Sequence, residues 1–412
     1  MIILRAYKTE LDPTYKQVEQ LIQHAGCARW AYNWGLRKKI EAYKATGKSP
    51  SAVDLHRELN SLKGKPTEEG GVPWMYESSK CAPQEALRNL DAAYKSFFRR
   101  CKTGAKCKGF PRFKSRKNGI GSFRLTGSVR ASEAYVQLPV LGELRLKEHG
   151  YLPVEDVKVL SATVSEQAGR WFVSLQVEQE IANPEPKPHH VVGVDVGIKH
   201  LAVTSDGEIF DNPKALTKAQ RTLRIRQKAV SRKVKGSANR RKAVARVARI
   251  HRRVANIRKD AIHKMTTAII KLASVIVVED LKVSGMLKNH CLARALSDAS
   301  LSEIHRQLAY KAKWNGAEFI KADRFYPSSK RCSGCGEIKE TLSLSERTYY
   351  CKNPVCGLVI DRDLNAAINL KMWPTVASAS ACCPGSSGSR SKTRTKLLVG
   401  QERAGRVLSC CP

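Results

Sequence analysis

Apolar residues recur along the chain with two different periods. Val157 and Val159 alternate with polar neighbours, and Trp171, Val173, Leu175 and Val177 do the same beyond Ala168-Gly169. A period of two belongs to a half-buried antiparallel hairpin. Residues 1–10 and about 118–186 read as strands. Between them the period lengthens to that of a helix. Asp12-Pro13 reads as an N-cap followed by a first-turn proline, and Val18, Leu21, Ile22, Ala25, Tyr32, Leu36 and Ile40 mark one face. A second helix reads from about Pro83, with Leu87, Leu90, Tyr94 and Phe97 on its face. The pattern predicts a helical module inserted into a small β domain.

The proline-rich stretch Asn183–Pro188 reads as a linker closing this half. Beyond it, Val191–Gly197 and Leu201–Thr204 read as two strands, with a hairpin turn at Ser205-Asp206-Gly207. Residues 214–270 read as one or two long helices. Val275–Glu279 is a short unbroken apolar run ending in a carboxylate, the pattern of a strand covered on both faces. A helix near 299–315, a strand ending near Phe325 and a helix from about Leu364 to Trp373 follow. Residues 374–412 have no sustained period and are rich in Ser, Ala, Gly, Cys and Arg, so a disordered tail is expected there. No internal repeat is present.

Charge narrows the partners. Lys and Arg number 73 against 37 Asp and Glu, a formal net charge of +36. Such a chain repels itself unless a polyanion accompanies it, so nucleic acid is the expected partner. Residues 218–264 concentrate the excess, with Asp260 the one acidic residue of the stretch. Val244, Val247, Val254, Ile257 and Ala261 form a 3–4 stripe, which predicts a helix packed on one side and offering cations to phosphates on the other. No apolar run is long enough to span a membrane and no signal peptide is read, so a cytoplasmic, nucleoid-associated chain is expected.

Two sets of residues carry candidate chemistry. Cys332-x2-Cys335 and Cys351-x4-Cys356 have the spacing of a ribbon-type zinc site. Four thiolates complete a tetrahedron and leave no open position, so this Zn²⁺ is expected to be structural. The longer second spacing requires a longer knuckle. The other set is acidic. Asp195 sits in Val-Gly-Val-Asp-Val-Gly, Glu279 closes its apolar run, and Asp361-Arg362-Asp363 opens a small-residue helix. A carboxylate among strand residues is costly unless it is paired, hydrogen-bonded or bound to a cation. Oxygen-only donors suit Mg²⁺ or Mn²⁺, and two such ions about 4 Å apart can promote phosphodiester hydrolysis.

The order of these segments resembles the TnpB family, transposon-encoded RNA-guided endonucleases related to type V CRISPR effectors. The resemblance runs through Gly26–Asn33, Lys108–Lys114, Gly193–Gly197, the basic tract from Ser231 to Lys264, Val278–Leu281, Tyr326–Lys330, the four cysteines and Asp361–Ala367. It covers about residues 1–372. The fold it implies is α/β plus β. An RNase H-like (RuvC) nuclease domain, 187–328 and 357–373, carries an inserted zinc ribbon at 329–356. A small β-barrel-like, wedge-like domain, 1–12 and 118–186, precedes it and carries a helical recognition domain at 13–117.

The resemblance also implies roles. Asp195, Glu279 and Asp363 become a metal-binding catalytic triad, with Asp361 as the fallback for the third position. Lys80 and Gln84 match positions that read a short motif beside the target, and Gln can pair bidentately with adenine. Arg232, Lys233, Lys235, Arg240, Arg241, Arg252 and Arg258 become nucleic-acid contacts. The implied partners are a guide RNA, whose pairing reads sequence, and double-stranded target DNA; the residues leave the oligomeric state open, with a monomer favoured. An RNA-guided repressor that does not cut, or a transposase using similar carboxylates, are the alternatives.

Overall fold

The computed structural model of the chain describes residues 1–105, 107–155, 157–185, 188–343 and 345–381. Residues 1–371 form one compact unit. This unit holds two hydrophobic cores, one built from buried residues between Leu11 and Val177 and one from residues between Val192 and Ala312.

The first core begins with strand β1 (Ile2–Glu10) and helices α1 (Tyr15–Thr46), α2 (Ala52–Lys63) and α3 (Cys81–Lys102). Thr14, not Asp12, caps α1: the Gln17 N–H donates to its hydroxyl at 3.4 Å while Gln17 Oε1 accepts from the Thr14 N–H at 3.0 Å. That is a reciprocal capping box, and it wins because it satisfies two backbone N–H groups at once. Gly35 lets α1 approach α3, since a Cβ there would lie 2.6 Å from Leu87 Cδ2. Strands β2 (Ser122–Leu125), β3 (Arg130–Ala131), β4 (Tyr135–Leu138), β5 (Gly142–Arg145), β6 (Val157–Gln167) and β7 (Arg170–Glu180) complete this half.

The β6–β7 hairpin forms where alternation predicts it, with Ala168 and Gly169 both at positive φ, 55° and 80°. The expected barrel-like domain consists, among the described residues, of two antiparallel sheets, β1-β7-β6-β2 and β3-β4-β5, joined by the isolated Leu11–Leu146 bridge.

The second core is built on β8 (Val191–Asp195), β9 (His200–Thr204), β10 (Ile209–Asp211), β11 (Val275–Glu279) and β12 (Glu318–Ala322), in the order β10-β9-β8-β11-β12. Strands β11 and β12 run parallel to β8, and the β8–β9–β10 hairpins are antiparallel. Helices α4 (Ala215–Ser231), α5 (Ala238–Leu272), α6 (Val283–Met286), α7 (Ala293–Ala299) and α8 (Leu301–Trp314) connect them. The long basic stretch is therefore two helices broken at residues 232–237. Burial on α5 falls at Val254, Ile262, Met265, Thr266, Ile269 and Ile270, so Val254 of the expected stripe is buried, whereas Val244 and Ile257 are 48% and 40% exposed. Residues of α5 before Val254 are not buried.

Strands β13 (Thr348–Tyr350) and β14 (Val359–Asp361) form the ribbon hairpin, and α9 (Arg362–Ala381) follows. The expected tail therefore starts as helix, and its residues 382–412 lie outside the described residues, as do Pro186 and Lys187 of the expected linker. Helix α9 crosses β8 at Gly193. A Cβ at Gly193 would lie 2.0 Å from the Ala367 carbonyl oxygen and 2.4 Å from the Lys371 nitrogen, so only glycine permits this approach.

Asp298 ties three helices together. This 4% exposed carboxylate accepts from the Leu216 and Thr217 N–H groups, both first-turn donors of α4, and pairs with Arg258 Nη2 at 2.9 Å. No side chain of its own caps α4. Asp298→Ala leaves two helix N–H groups and a half-buried guanidinium unpaired. The expected cost is about 3 kcal/mol, read as a lower urea midpoint with unchanged m.

Candidate metal centres and nucleic-acid surfaces

Register places the first two carboxylates. Val194 of β8 pairs with Val278 of the parallel β11, so the next residues, Asp195 and Glu279, leave the sheet side by side. Both strands end here, and both side chains are half-buried. Helix α9 starts beside them and presents Asp363, also half-buried. Asp361 is exposed and does different work: its Oδ1 accepts from the Asp363 N–H at 2.9 Å and the Leu364 N–H at 3.2 Å, capping the helix.

The electrostatics follow from this crowding. Burial raises the Asp195 carboxyl well above its ordinary range, and the charges of Glu279 and Asp363 raise it further, with a smaller contribution from Asp361. Arg362 opposes them and does not cancel them. Ser328 donates its hydroxyl to Glu279 Oε1. A cleft of about 250 Å³ opens beside Glu279, lined also by Lys282, Asp323 and Tyr326. The three carboxylates are more loosely grouped than the thiols: among the described residues, only the four cysteines bring three or more donor atoms within 4.8 Å of one another. A pair of ions about 4 Å apart does not require that all three carboxylates reach one ion.

The four thiols form a tight cluster able to hold a metal. Cys332 and Cys356 sulfurs are 3.7 Å apart, and those of Cys335 and Cys351 are 3.5 Å apart. A tetrahedron with metal–sulfur bonds of about 2.3 Å has edges of ~3.8 Å. Burial raises the Cys332 thiol, but the backbone N–H groups of Cys335 and Gly334 outweigh it and bring the thiol down to about 7. Cys351 is pushed up to about 12 by burial and then by Cys335 and Cys332. Four neighbouring thiols cannot all ionise without a cation to balance them. The longer second knuckle closes through Asn353, whose carbonyl accepts from Cys356 and Gly357 N–H groups at 3.1 and 3.0 Å and whose side chain accepts from the Val355 N–H at 3.0 Å.

The cationic residues separate into two groups. Arg232, Lys233, Lys235 and Arg241 are exposed. Lys235, Arg240 and Arg241 line a cavity of about 1130 Å³ with Lys117, between α5 and the β6–β7 turn. Three of the expected contacts are engaged within the protein. Arg258 pairs with Asp298, Arg240 Nη1 donates to the Val230 carbonyl at 2.8 Å and so closes the end of α4, and Arg252 Nη1 reaches the Gln167 carbonyl at 3.4 Å. Lys80 and Gln84 do share a cavity, of about 890 Å³, with Asn60, Lys63, Tyr76 and Thr126.

A cavity that periodicity does not reveal lies between β1 and helices α5 and α8. It measures about 390 Å³ and is lined by Arg5, Tyr7, Tyr151, Lys271, Tyr310 and Trp314 among others, with no acidic side chain. Its residues come from distant parts of the chain, so no local sequence signal could have found it.

Comparison with known proteins defines the class. A family described as "Probable transposase" matches residues 162–290, a "Cas12f1-like, TNB domain" matches 302–370, and a "Helix-turn-helix domain" matches 1–48. A Streptomyces pristinaespiralis protein called "Putative RNA-guided DNA endonuclease" is 38% identical over 97% of this chain and 96% of its own. An Escherichia coli K12 protein, "Putative RNA-guided DNA endonuclease InsQ", is 33% identical over 89% of this chain and 91% of its own. The "CRISPR-associated endodeoxyribonuclease Cas12f1" of Sulfoacidibacillus thermotolerans is 22% identical over half of each chain. The chain belongs to the TnpB family of transposon-encoded proteins. Among the described residues no helix is long and apolar enough to cross a membrane.

Proposed function

We propose that this protein is an RNA-guided DNA endonuclease of a transposon, cutting target phosphodiesters at Asp195, Glu279 and Asp363. The observation that carries the reading is the convergence of these carboxylates, distant in sequence, at the ends of β8 and β11 and the start of α9. The names of full-length relatives support it. So does the mixed sheet β10-β9-β8-β11-β12, whose neighbouring parallel strands β8 and β11 end at Asp195 and Glu279.

The carboxylates fit a hard divalent pair, Mg²⁺ or Mn²⁺. All their donors are oxygen, and their mutual repulsion at Asp195 is the excess negative charge that cations relieve. When bound, such a pair activates water and stabilises the departing oxygen. Asp195, Glu279 and Asp363 would hold the ions, with Glu279 oriented through Ser328 and Asp363 fixed by the capped start of α9. The four cysteines would hold one Zn²⁺, for which four thiolates leave no open position, a structural role.

Exposed cations on the α4–α5 turn supply phosphate contacts for guide RNA and target DNA. Exchanging Arg232, Lys233, Lys235 and Arg241 for glutamine should flatten the dependence of log affinity on log salt by about 0.7–0.9 for each phosphate that is no longer neutralised. Arg258→Gln should lower stability instead and leave that slope unchanged, because its charge is already paired.

The test of the reading is the nucleic acid the protein carries. Material extracted from the purified full chain should be RNA, destroyed by RNase, and its removal should stop cutting of matched DNA at a fixed Mg²⁺ concentration. Cutting that persists without RNA would overturn the proposal.

A further inference from the structure

Ser328 stands between the two candidate metal centres, in the loop from β12 to Cys332. It is 2% exposed. Its backbone and its side chain face different partners. The Ser328 carbonyl accepts from Asn369 Nδ2 at 2.8 Å, whereas its hydroxyl donates to Glu279 Oε1. Asn369 Nδ2 also reaches the Arg331 carbonyl at 2.7 Å, and Asn365 Nδ2 reaches the same carbonyl at 2.7 Å. Asn365 Oδ1 accepts from the Ser333 N–H at 3.0 Å, next to the first zinc-type knuckle.

The two asparagines lie one turn apart on α9 and are 0% and 1% exposed. Burial at this depth favours hydrogen-bonded amides, and both Nδ2 groups and Asn365 Oδ1 are so paired, whereas Asn369 Oδ1 is not. Helix α9, which carries Asp363 in its first turn, therefore fixes the loop that in turn touches Glu279. The two asparagines hold the loop through its backbone groups, which any residue could offer at position 328, and the Tyr326 hydroxyl adds a bond to the Asn369 carbonyl at 3.1 Å. The Ser328 hydroxyl takes no part in this anchoring. Its hydrogen bond to the carboxylate is the one contact that requires serine rather than alanine.

We propose that Ser328 is a positioning residue for Glu279. It fixes one carboxylate oxygen and leaves the other for a divalent cation, and Asn369 sets Ser328 in place from the helix that carries Asp363. The four-thiol ribbon and the carboxylate centre are thereby one mechanical unit. The inference rests on the nuclease reading above. Hydrogen-bond partners of ligating carboxylates typically contribute about 10–100-fold to metal affinity or activity.

The experiment measures Mn²⁺ binding to the full chain as purified, by the electron paramagnetic resonance of free Mn²⁺, beside the Mg²⁺ dependence of cutting. Ser328→Ala should raise both the Mn²⁺ Kd and the half-saturating Mg²⁺ concentration about 10–100-fold. Zinc content and RNA binding should match the parent. In a Glu279→Ala background, Ser328→Ala should add no further loss. Unchanged Mn²⁺ affinity in Ser328→Ala, an equal loss in the Glu279→Ala background, or loss of zinc would each overturn the proposal. A Glu279→Ala protein that binds Mn²⁺ and cuts like the parent would instead defeat the nuclease reading itself.

Discussion

Alanine at Asp195 should reduce cutting of matched DNA by at least about 10³-fold, some 4 kcal/mol of transition-state stabilisation, while guide-RNA affinity stays within about twofold. The asymmetry follows from position. Asp195 sits at the end of the central strand β8, with β9 on one side and β11 on the other, and its carboxyl feels the charges of both Glu279 and Asp363. The exposed cations of the α4–α5 region lie elsewhere on the chain. Glu279→Ala and Asp363→Ala should behave alike. Asp361→Ala is the internal control: its carboxylate caps α9, so it should cost about 1 kcal/mol of stability and leave most of the cutting rate. A plasmid-nicking assay with each purified variant checks the series. Parent-level cutting by Asp195→Ala would remove the basis for the whole assignment.

Cys332→Ser should have the second largest effect, acting on structure rather than chemistry. Cys332 is 1% exposed and its sulfur lies 3.7 Å from that of Cys356. Structural zinc sites supply about 10–16 kcal/mol of apparent binding free energy in small zinc domains, far more than a hairpin as short as β13–β14 could gain by pairing alone. The parent should therefore carry one Zn²⁺ per chain by elemental analysis. The variant should carry none, melt in two steps, and lose cutting because the loop holding Ser328 is released. Strong chelators should do the same to the parent. Cys107→Ser and Cys291→Ser, exposed thiols outside the cluster, should change neither zinc content nor melting. Full zinc occupancy in Cys332→Ser would contradict the four-ligand assignment.

The sequence makes some of this architecture legible and conceals the rest for physical reasons. Val275–Glu279 announces itself because a strand covered on both faces must be apolar throughout, and its terminal carboxylate stands out against that run. The cysteines are legible because metal ligands impose spacing. Helix α2 has only Ala52, Leu55 and Leu59 as buried apolar residues, too few to mark a period, although Ser51 and Asp54 form a capping box that signals its start. The basic tract shows a different limit. Composition reports the sign of a charge but not its partner, so Arg258, bound to a buried aspartate forty residues away, is indistinguishable in sequence from exposed Arg241. Ser328, Asn365 and Asn369 are equally silent, because their meaning lies in a loop, a strand end and a helix brought together only by folding.

Anomalous diffraction from crystals of the RNA-bound protein grown with Mn²⁺ tests the central claim most directly. Two peaks about 4 Å apart, with Asp195 touching both and Glu279 and Asp363 each touching one, are the expected result. Peaks elsewhere, or a carboxylate of this set left out of contact with manganese, would contradict it.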